Sequence, residues 1–547
     1  MAQVTKKVSN SKRRQIDALV EQSAKALNQA RPDLCEQLCM RIDQIQPGNA
    51  DAASMRGVIA SRRGYLPQAV QLFRQAVAVA PSRCEFHANL AAIHLMQGEA
   101  VAALESYRRA LALKPYQLQI QMGCASALVA LSRFDEAVSL MQSAHKQKPR
   151  DTAVLMKLFH ICHAADRMPD AEAALQQLLA IDPAHVEAHC RYGELLLEAG
   201  RKPEGEREIR EVLRLDPDYA DAARPLSVLK RYSECDADVT LLAGMYERSS
   251  EGSPEQLKLA FAYGKVLDDL GEYDAAFDCF AQGNAILAAE RHYDQDQELA
   301  HLQMVMQTYT PAVVQQQAAI DDASPLFIVG MPHSGGALVE QLLGAHPDVA
   351  VRGECGCLEE ALQRCSSQDA PLSLEAMADW QPEQWQALGQ RYLELLHSDS
   401  ATCYTDSTLS NIRLIGAIHC ALPKARIIHV RRDPLDTCLS IYRNSLFGSA
   451  SGYENNLGQL GYYYRMYLQL MQHWRDVLPT GAICEVEYAL LVSDPETEMR
   501  KLLDYCGLEP NDACLQPDHG DLADAVAAWK HYEKQLQPLV KILGVTA

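Results

Sequence analysis

The stretch Phe327 to Val349, FIVGMPHSGGALVEQLLGAHPDV, passes from a short apolar run through a glycine-rich turn into an amphipathic helix. Strand, turn and helix in that order make a unit that can cradle a phosphate. Glycines let the backbone bend sharply and approach an anion, and the first helical turn offers unpaired N–H groups and the positive end of its dipole. Doubly wound domains also use such turns for packing alone, so anion binding and plain packing both stand as readings. The turn raises a question of its own. Met331–Gly336 holds His333 and the glycines Gly335 and Gly336, where an anion site would offer a fixed cation and hydroxyls.

Working outward, short apolar, β-branched runs at 326–330, 425–430 and 482–488 predict strands. Helical patterns at about 335–345, 435–445, 461–477 and 496–506 separate or follow them. Strands alternating with helices predict a parallel sheet covered on both faces, and in such a sheet ligands sit at the carboxyl ends of the strands. The run IIHVRRDPLDTCLSIYRN, 427–444, places Arg431 and Arg432 at one such end, opens a turn at Asp433-Pro434, and carries Ser440 on the helix that follows. The guanidinium fork of Arg432 suits phosphate oxygens. The plainer reading is a surface ion pair with Asp433 or Asp436.

Upstream the pattern is all-helical. Prolines at 47, 81, 115, 149, 183 and 217 keep a constant spacing of 34, the mark of a helix-turn-helix solenoid. Small residues recur in phase, among them Gly57, Ala69 and Ala76, then Ala91, Ala103 and Ala110, then Ala125, Ala137 and Ala144. They belong where paired helices approach closely. These spacings resemble the tetratricopeptide repeat over about 16–217. The unit from 152 is weaker, with Phe159 at a small-residue position, and another unit returns at 259–284 with Gly264, Gly271 and Ala276 in register. The expected organisation is a basic segment at 1–15, a helical repeat array over 16–309 that is irregular at 218–256, a polar connector at 310–325, and an α/β domain over 326–547. A solenoid of this kind offers a concave face to a peptide or protein partner, and it can equally form a homodimer or brace its neighbour.

The two anion-binding pieces together resemble the sulfotransferase superfamily, which uses 3'-phosphoadenosine 5'-phosphosulfate (PAPS). In that family a strand-loop-helix with the pattern PxSGTTL holds the 5'-phosphosulfate, and a later RDP, with a serine eight positions beyond its arginine, holds the 3'-phosphate. Pro332, Ser334, Gly335 and Leu338 match the first pattern, and Arg432 and Ser440 match the second. The surrounding wording is similar to repeat-linked bacterial sulfotransferases related to protein-tyrosine sulfotransferases. The resemblance implies a P-loop-like α/β sulfotransferase domain behind an all-α tetratricopeptide solenoid. It implies a cofactor set of Pro332, His333, Ser334, Gly335, Gly336, Ala337, Arg432 and Ser440, and it nominates Glu354 of RGE as the catalytic base, with His333 beside it at the phosphosulfate.

The same resemblance exposes four departures. His333 stands where the family has arginine, and Gly336 and Ala337 where it has threonines; Ser407 of YTDSTLSN stands where it has a catalytic lysine. The C-terminal loop before WKHYE (529–533), LQPDHGDLADAVAA, has neither lysine nor arginine, where the family closes over the nucleotide with a basic one. Losing one donor at an anionic transition state typically costs about 2.7–4 kcal/mol. The implied function is therefore a PAPS-dependent sulfuryl transfer to a hydroxyl, such as a peptide tyrosine, and the rival is a catalytically inactive repeat scaffold that keeps the fold for protein binding.

Composition sets the outer bounds. A formal net charge of −20 over 547 residues disfavours general binding to nucleic acid or to anionic membrane. No run of about 18 apolar residues occurs and the basic N-terminal segment lacks an apolar core, so a cytoplasmic setting is the default expectation. The 17 cysteines lack paired metal-ligand spacing; they read as free thiols, and no metal is assigned.

Overall fold

The computed structural model describes residues 10–365, 373–396, 401–444, 451–515 and 525–545. Two compact units divide the chain, Met1–Ala222 and Ala223–Ala547.

In the first unit, twelve α-helices among the described residues run from Asn10–Asn28 to Lys202–Leu215 as antiparallel pairs. The first helices of successive pairs begin at Ala50, Cys84, Leu118, Thr152 and Val186, so the 34-residue spacing of the prolines is the spacing of the pairs. Ala69, Ala103, Ala137 and Ala171, in phase on the second helices, have no exposed surface. The reason for small residues is direct at Gly57, where a Cβ would come within 2.9 Å of the Phe73 ring. Phe159 is buried at the weaker position, its ring tilted against His160. The turn between the two helices of each pair places one residue at positive φ: Gly64, Gly98 and Gly200, but Ala30, Ser132 and Asp166 in the other pairs.

The second unit contains a five-stranded sheet, all parallel, in the order β2-β3-β1-β4-β5. The strands are β1 (Pro325–Gly330), β2 (Val349–Ala350), β3 (Cys403–Asp406), β4 (Arg426–Arg431) and β5 (Ile483–Glu487). β1, β4 and β5 fall on the apolar runs read from the sequence. β1 is buried at all six positions, which explains its uninterrupted apolar sequence. The chain leaves β1 toward β3 on one side and later returns to β4 on the other. That reversal creates a crevice between the carboxyl ends of β1 and β4, where parallel sheets bind ligands.

The helix pair Pro254–Asp269 and Tyr273–Glu290 belongs to this second unit, although its periodicity groups it with the array. Its buried face is shared with the helix Pro434–Asn444: Asn284 Nδ2 donates to the carbonyl of Tyr442 at 2.8 Å, and Phe277 stacks on the Tyr442 ring. The compact division accordingly lies at 222/223, upstream of the polar segment 310–325. That segment is itself laid on the domain, with Val314 and Ala318 buried and the Ala318 N–H donating to the Cys420 carbonyl at 2.8 Å. Among the described residues no helix is long and apolar enough to cross a membrane.

Candidate active site

β1 ends at Gly330 because the chain must bend where it meets both its own turn and the next strand. A Cβ there would lie 2.7 Å from Ser334 Oγ and 2.7 Å from the Val430 carbonyl oxygen. Beyond it the Ser334 N–H donates to the Met331 carbonyl at 3.1 Å, His333 takes φ 61°, and Gly335 takes φ 109°. Gly335 is doubly required, since a Cβ would lie 2.5 Å from Tyr488 Cδ2. The helix Gly336–Gly344 starts immediately after, aiming the N–H groups of its first turn, including Gly336 and Ala337, along the crevice. Ser334 is buried, and Pro332 is partly exposed.

The segment that follows β4 meets the turn directly. Arg432 Nη1 donates to the His333 carbonyl at 3.0 Å, and Nη2 donates to the Ala525 carbonyl at 2.6 Å. Its guanidinium lies 5.0 Å from the centre of the Tyr488 ring. Nε is buried without a hydrogen-bond partner. Asp436 accepts from the N–H groups of Ala527 and Trp529 at 2.7 and 2.9 Å, so the chain entering WKHYE is tied to the helix that carries Ser440. Ser440 is buried; the Asn444 amide lies against its hydroxyl and its carbonyl, and among the described residues no hydrogen bond joins Ser440 to Arg432 or to the turn. Most of the loop before WKHYE, residues 516–524, lies outside the described residues.

His333 is an exposed residue at the tip of the turn. Desolvation, with Arg432 and Arg443 nearby, pushes its pKa down to about 4. At neutral pH it is an uncharged imidazole and no substitute for a fixed cation.

Glu354 lies on the loop after β2 and lines a cavity of about 640 Å³ together with Met331 and Pro332 of the turn. Partial enclosure raises its pKa, and the charges of Glu340 and Asp406 add to the effect. A carboxylate so placed is a better proton acceptor near neutrality than an ordinary surface glutamate. Across the cavity stand Leu409, Ile412, Arg413, Tyr463 and Tyr467. Arg413 donates to Glu298 at 2.8 Å and to the Tyr463 hydroxyl at 3.3 Å. Tyr463 stacks flat on Tyr453, with ring centres 3.7 Å apart. These wall residues carry no local motif and come from segments far apart in the chain. Arg413, seven residues beyond Asp406, is the one whose charge could have prompted attention.

Ser407 turns away from the cavity chemistry, its hydroxyl donating to Glu340 Oε2 at 2.8 Å. The neighbouring Asp406 is fully buried and accepts from Tyr392, Asn411 and the Thr408 N–H. Among the described residues no group of three or more His, Cys, Asp or Glu side chains could hold a metal ion.

Residues 325–512 match the sulfotransferase family, and 47–117 and 94–227 match tetratricopeptide repeats. The chain therefore joins a tetratricopeptide-repeat array to a domain of the sulfotransferase family. It is 26% identical over 360 residues to an uncharacterised protein of Aquifex aeolicus, covering 59% of this chain and 46% of that one. It is also 26% identical over 206 residues to a protein-tyrosine sulfotransferase of Drosophila melanogaster, covering 35% of this chain and 39% of that one. The chain thus spans less than half the length of either relative. Among solved structures, a tetratricopeptide repeat protein from Parabacteroides merdae aligns with TM-score 0.36 at 13% identity, over 49% of this chain and 98% of its own. YrrB, a tetratricopeptide protein with an unusual peptide-binding site, aligns with TM-score 0.29 at 14% identity, over 34% and 95%.

Proposed function

We propose that the second unit transfers a sulfuryl group from PAPS to a hydroxyl acceptor, with a protein or peptide tyrosine as the acceptor class. The observation that carries this reading is the meeting of three elements at one sheet edge: the Met331–Gly336 turn, the Arg432 fork 3.0 Å from its carbonyl, and Glu354 across a cavity that the turn itself lines. What supports a nucleotide at the turn is the start of the helix Gly336–Gly344, whose unpaired N–H groups and positive dipole end suit an anion. When bound, the nucleotide supplies the sulfuryl group. The Ser334 hydroxyl and the backbone of Gly335, Gly336 and Ala337 would hold its phosphosulfate end, with Pro332 shaping the turn and His333 offering a neutral imidazole. Arg432 and Ser440 would hold the 3'-phosphate. Glu354 would take the acceptor's proton as the sulfuryl group passes to the acceptor oxygen and its bond to the 5'-phosphate oxygen breaks, releasing 3'-phosphoadenosine 5'-phosphate, and the aromatic wall would keep bulk water from the reacting hydroxyl. The repeat array would present the acceptor protein.

One observation favours the rival reading of an inactive scaffold. Both terminal nitrogens of Arg432 are engaged by backbone carbonyls, so two of the five N–H donors of the fork are already used within the chain. Isothermal titration of 3'-phosphoadenosine 5'-phosphate separates the two readings. Saturable binding supports the transferase. Absence of binding at millimolar ligand refutes it and leaves the scaffold.

A further inference from the structure

The helix that begins at the anion-binding turn carries a buried carboxylate in its second turn, Glu340, for which sulfuryl transfer has no evident use. Its partners are specific. Thr405 Oγ1 donates to Oε1 at 2.5 Å, the Gly353 N–H donates to the same oxygen at 3.1 Å, and Ser407 Oγ donates to Oε2 at 2.8 Å. Thr405 Oγ1 in turn accepts from the Arg352 N–H at 3.0 Å, and the Ser407 N–H donates to the Gly353 carbonyl at 2.9 Å. Three residues further on, the Gly356 N–H donates to Thr408 Oγ1 at 3.1 Å. The loop Arg352–Gly356 is therefore laced to the end of β3 along its length, and Glu340 is the knot that joins both to the turn-bearing helix.

A buried carboxylate persists only where its oxygens are satisfied, and here every named donor belongs to the base loop or to the residues that anchor it. We propose that Glu340 is the positioning residue of the site, holding Glu354 toward the acceptor cavity at a fixed distance from the phosphosulfate turn. The inference rests on the transferase reading for its purpose, but the geometry stands without it. It also gives Ser407 a present role as a ligand of Glu340. The groups facing Glu354 are Glu340 from the helix, Asp406 from the end of β3, and Arg413, Tyr463 and Tyr467 across the cavity, with Cys355 and Cys357 following it on its own loop. Removing the Glu340 charge therefore makes the Glu354 proton easier to lose, while loosening the loop misplaces the base.

The test compares the full chain with Glu340→Gln and Thr405→Val, the latter keeping the charge while removing one ligand and the Arg352 acceptor. Glu354 is titrated by carbon-13 NMR of glutamate carboxyls, assigned with Glu354→Gln. In parallel, kcat and KM are measured with PAPS and a tyrosine peptide, and 3'-phosphoadenosine 5'-phosphate affinity by calorimetry. Glu340→Gln is expected to lower the Glu354 midpoint and to cut kcat by about 10²-fold, the cost of misplacing a reacting group by about 1 Å. Nucleotide affinity should stay within about twofold of the parent. Thr405→Val lowers kcat with a smaller move of the midpoint. An unchanged midpoint in Glu340→Gln, or a rate loss matched by an equal loss of nucleotide affinity, overturns the proposal. If the parent binds no nucleotide and turns nothing over, the transferase reading alone falls. The midpoint comparison then decides whether Glu340 governs Glu354.

Discussion

Replacing Arg432 with alanine tests the centre of the functional reading, because this side chain has competing partners. In the free protein it donates to the carbonyls of His333 and Ala525 at 3.0 and 2.6 Å, and its guanidinium lies over Tyr488. Hydrogen bonds to charged groups contribute about 1.5–3 kcal/mol each. A 3'-phosphate that takes over the fork gains about 3 kcal/mol from its own charge-assisted bonds and forfeits about 1.5 kcal/mol by displacing the Ala525 carbonyl. The net of about 1.5 kcal/mol corresponds to roughly tenfold in affinity, well below what an unengaged arginine would contribute. Calorimetry of Arg432→Ala should therefore show about tenfold weaker binding of 3'-phosphoadenosine 5'-phosphate and almost no change for adenosine 5'-phosphate, which lacks the 3' group. Equal losses for both ligands would mean that the substitution acts by unsettling the turn through the His333 carbonyl. No loss for either would remove Arg432 from the nucleotide site.

Further outcomes follow from particular residues. With its pKa pushed down to about 4 by burial and then by Arg432 and Arg443, His333 is neutral in the free protein across pH 6–8. Nucleotide affinity rises toward pH 6 only as far as the bound anion lifts that value, and a flat curve that His333→Gln leaves unchanged eliminates the ring as a ligand. The same depressed pKa has a sign for folding: between about 6.5 and 4 the unfolded chain binds the extra proton, so this group costs stability as pH falls through that window and nothing above it. His333→Arg returns a fixed cation to the turn and should raise turnover about tenfold; no gain in a kcat measurement refutes missing charge at the turn as the limit. In the repeat array, Ala30→Gly and Ser132→Gly relieve φ values of 54° and 55°. Each should stabilise the first unit by about 0.5–1 kcal/mol, the left-handed penalty less the added chain entropy of glycine, raising the melting temperature by about 1–4 °C; a fall in melting temperature would contradict it. Gly335→Ala, by contrast, forces a Cβ into Tyr488 at φ 109° and should cost about 2–4 kcal/mol in thermal unfolding.

Whatever depends on spacing along the chain was legible in the sequence. Pro81 to Pro217 marked the helix pairs because each pair must bury its small-residue face on the next, which forces a constant period. β1 was visible because a strand buried on both faces has to be apolar throughout, and β4 because four of its six positions are buried; β5, at the sheet edge and only partly buried, was marked by Ile483 and Val486. β3 was hidden: Cys403–Asp406 is four residues of mixed polarity, fully buried only because Tyr392, Asn411 and the Thr408 N–H satisfy Asp406 from elsewhere. The glycine-rich turn and Arg432 could be named individually, but not the 3.0 Å contact that joins them, which follows from β1 and β4 being neighbours.

The sequence by itself determined the repeat period, the strand-turn-helix unit and the residue types available at its edge, since each is a matter of local periodicity and backbone freedom. Only the tertiary structure decided that the helix pair over 254–290 belongs with the α/β unit, that Arg432 is engaged by the chain's own carbonyls, and that Glu340 binds the loop that carries Glu354. The physical reason is common to all three. Each depends on which buried polar or aromatic groups find partners more than ten residues away, and a partner at that distance is chosen by how layers pack.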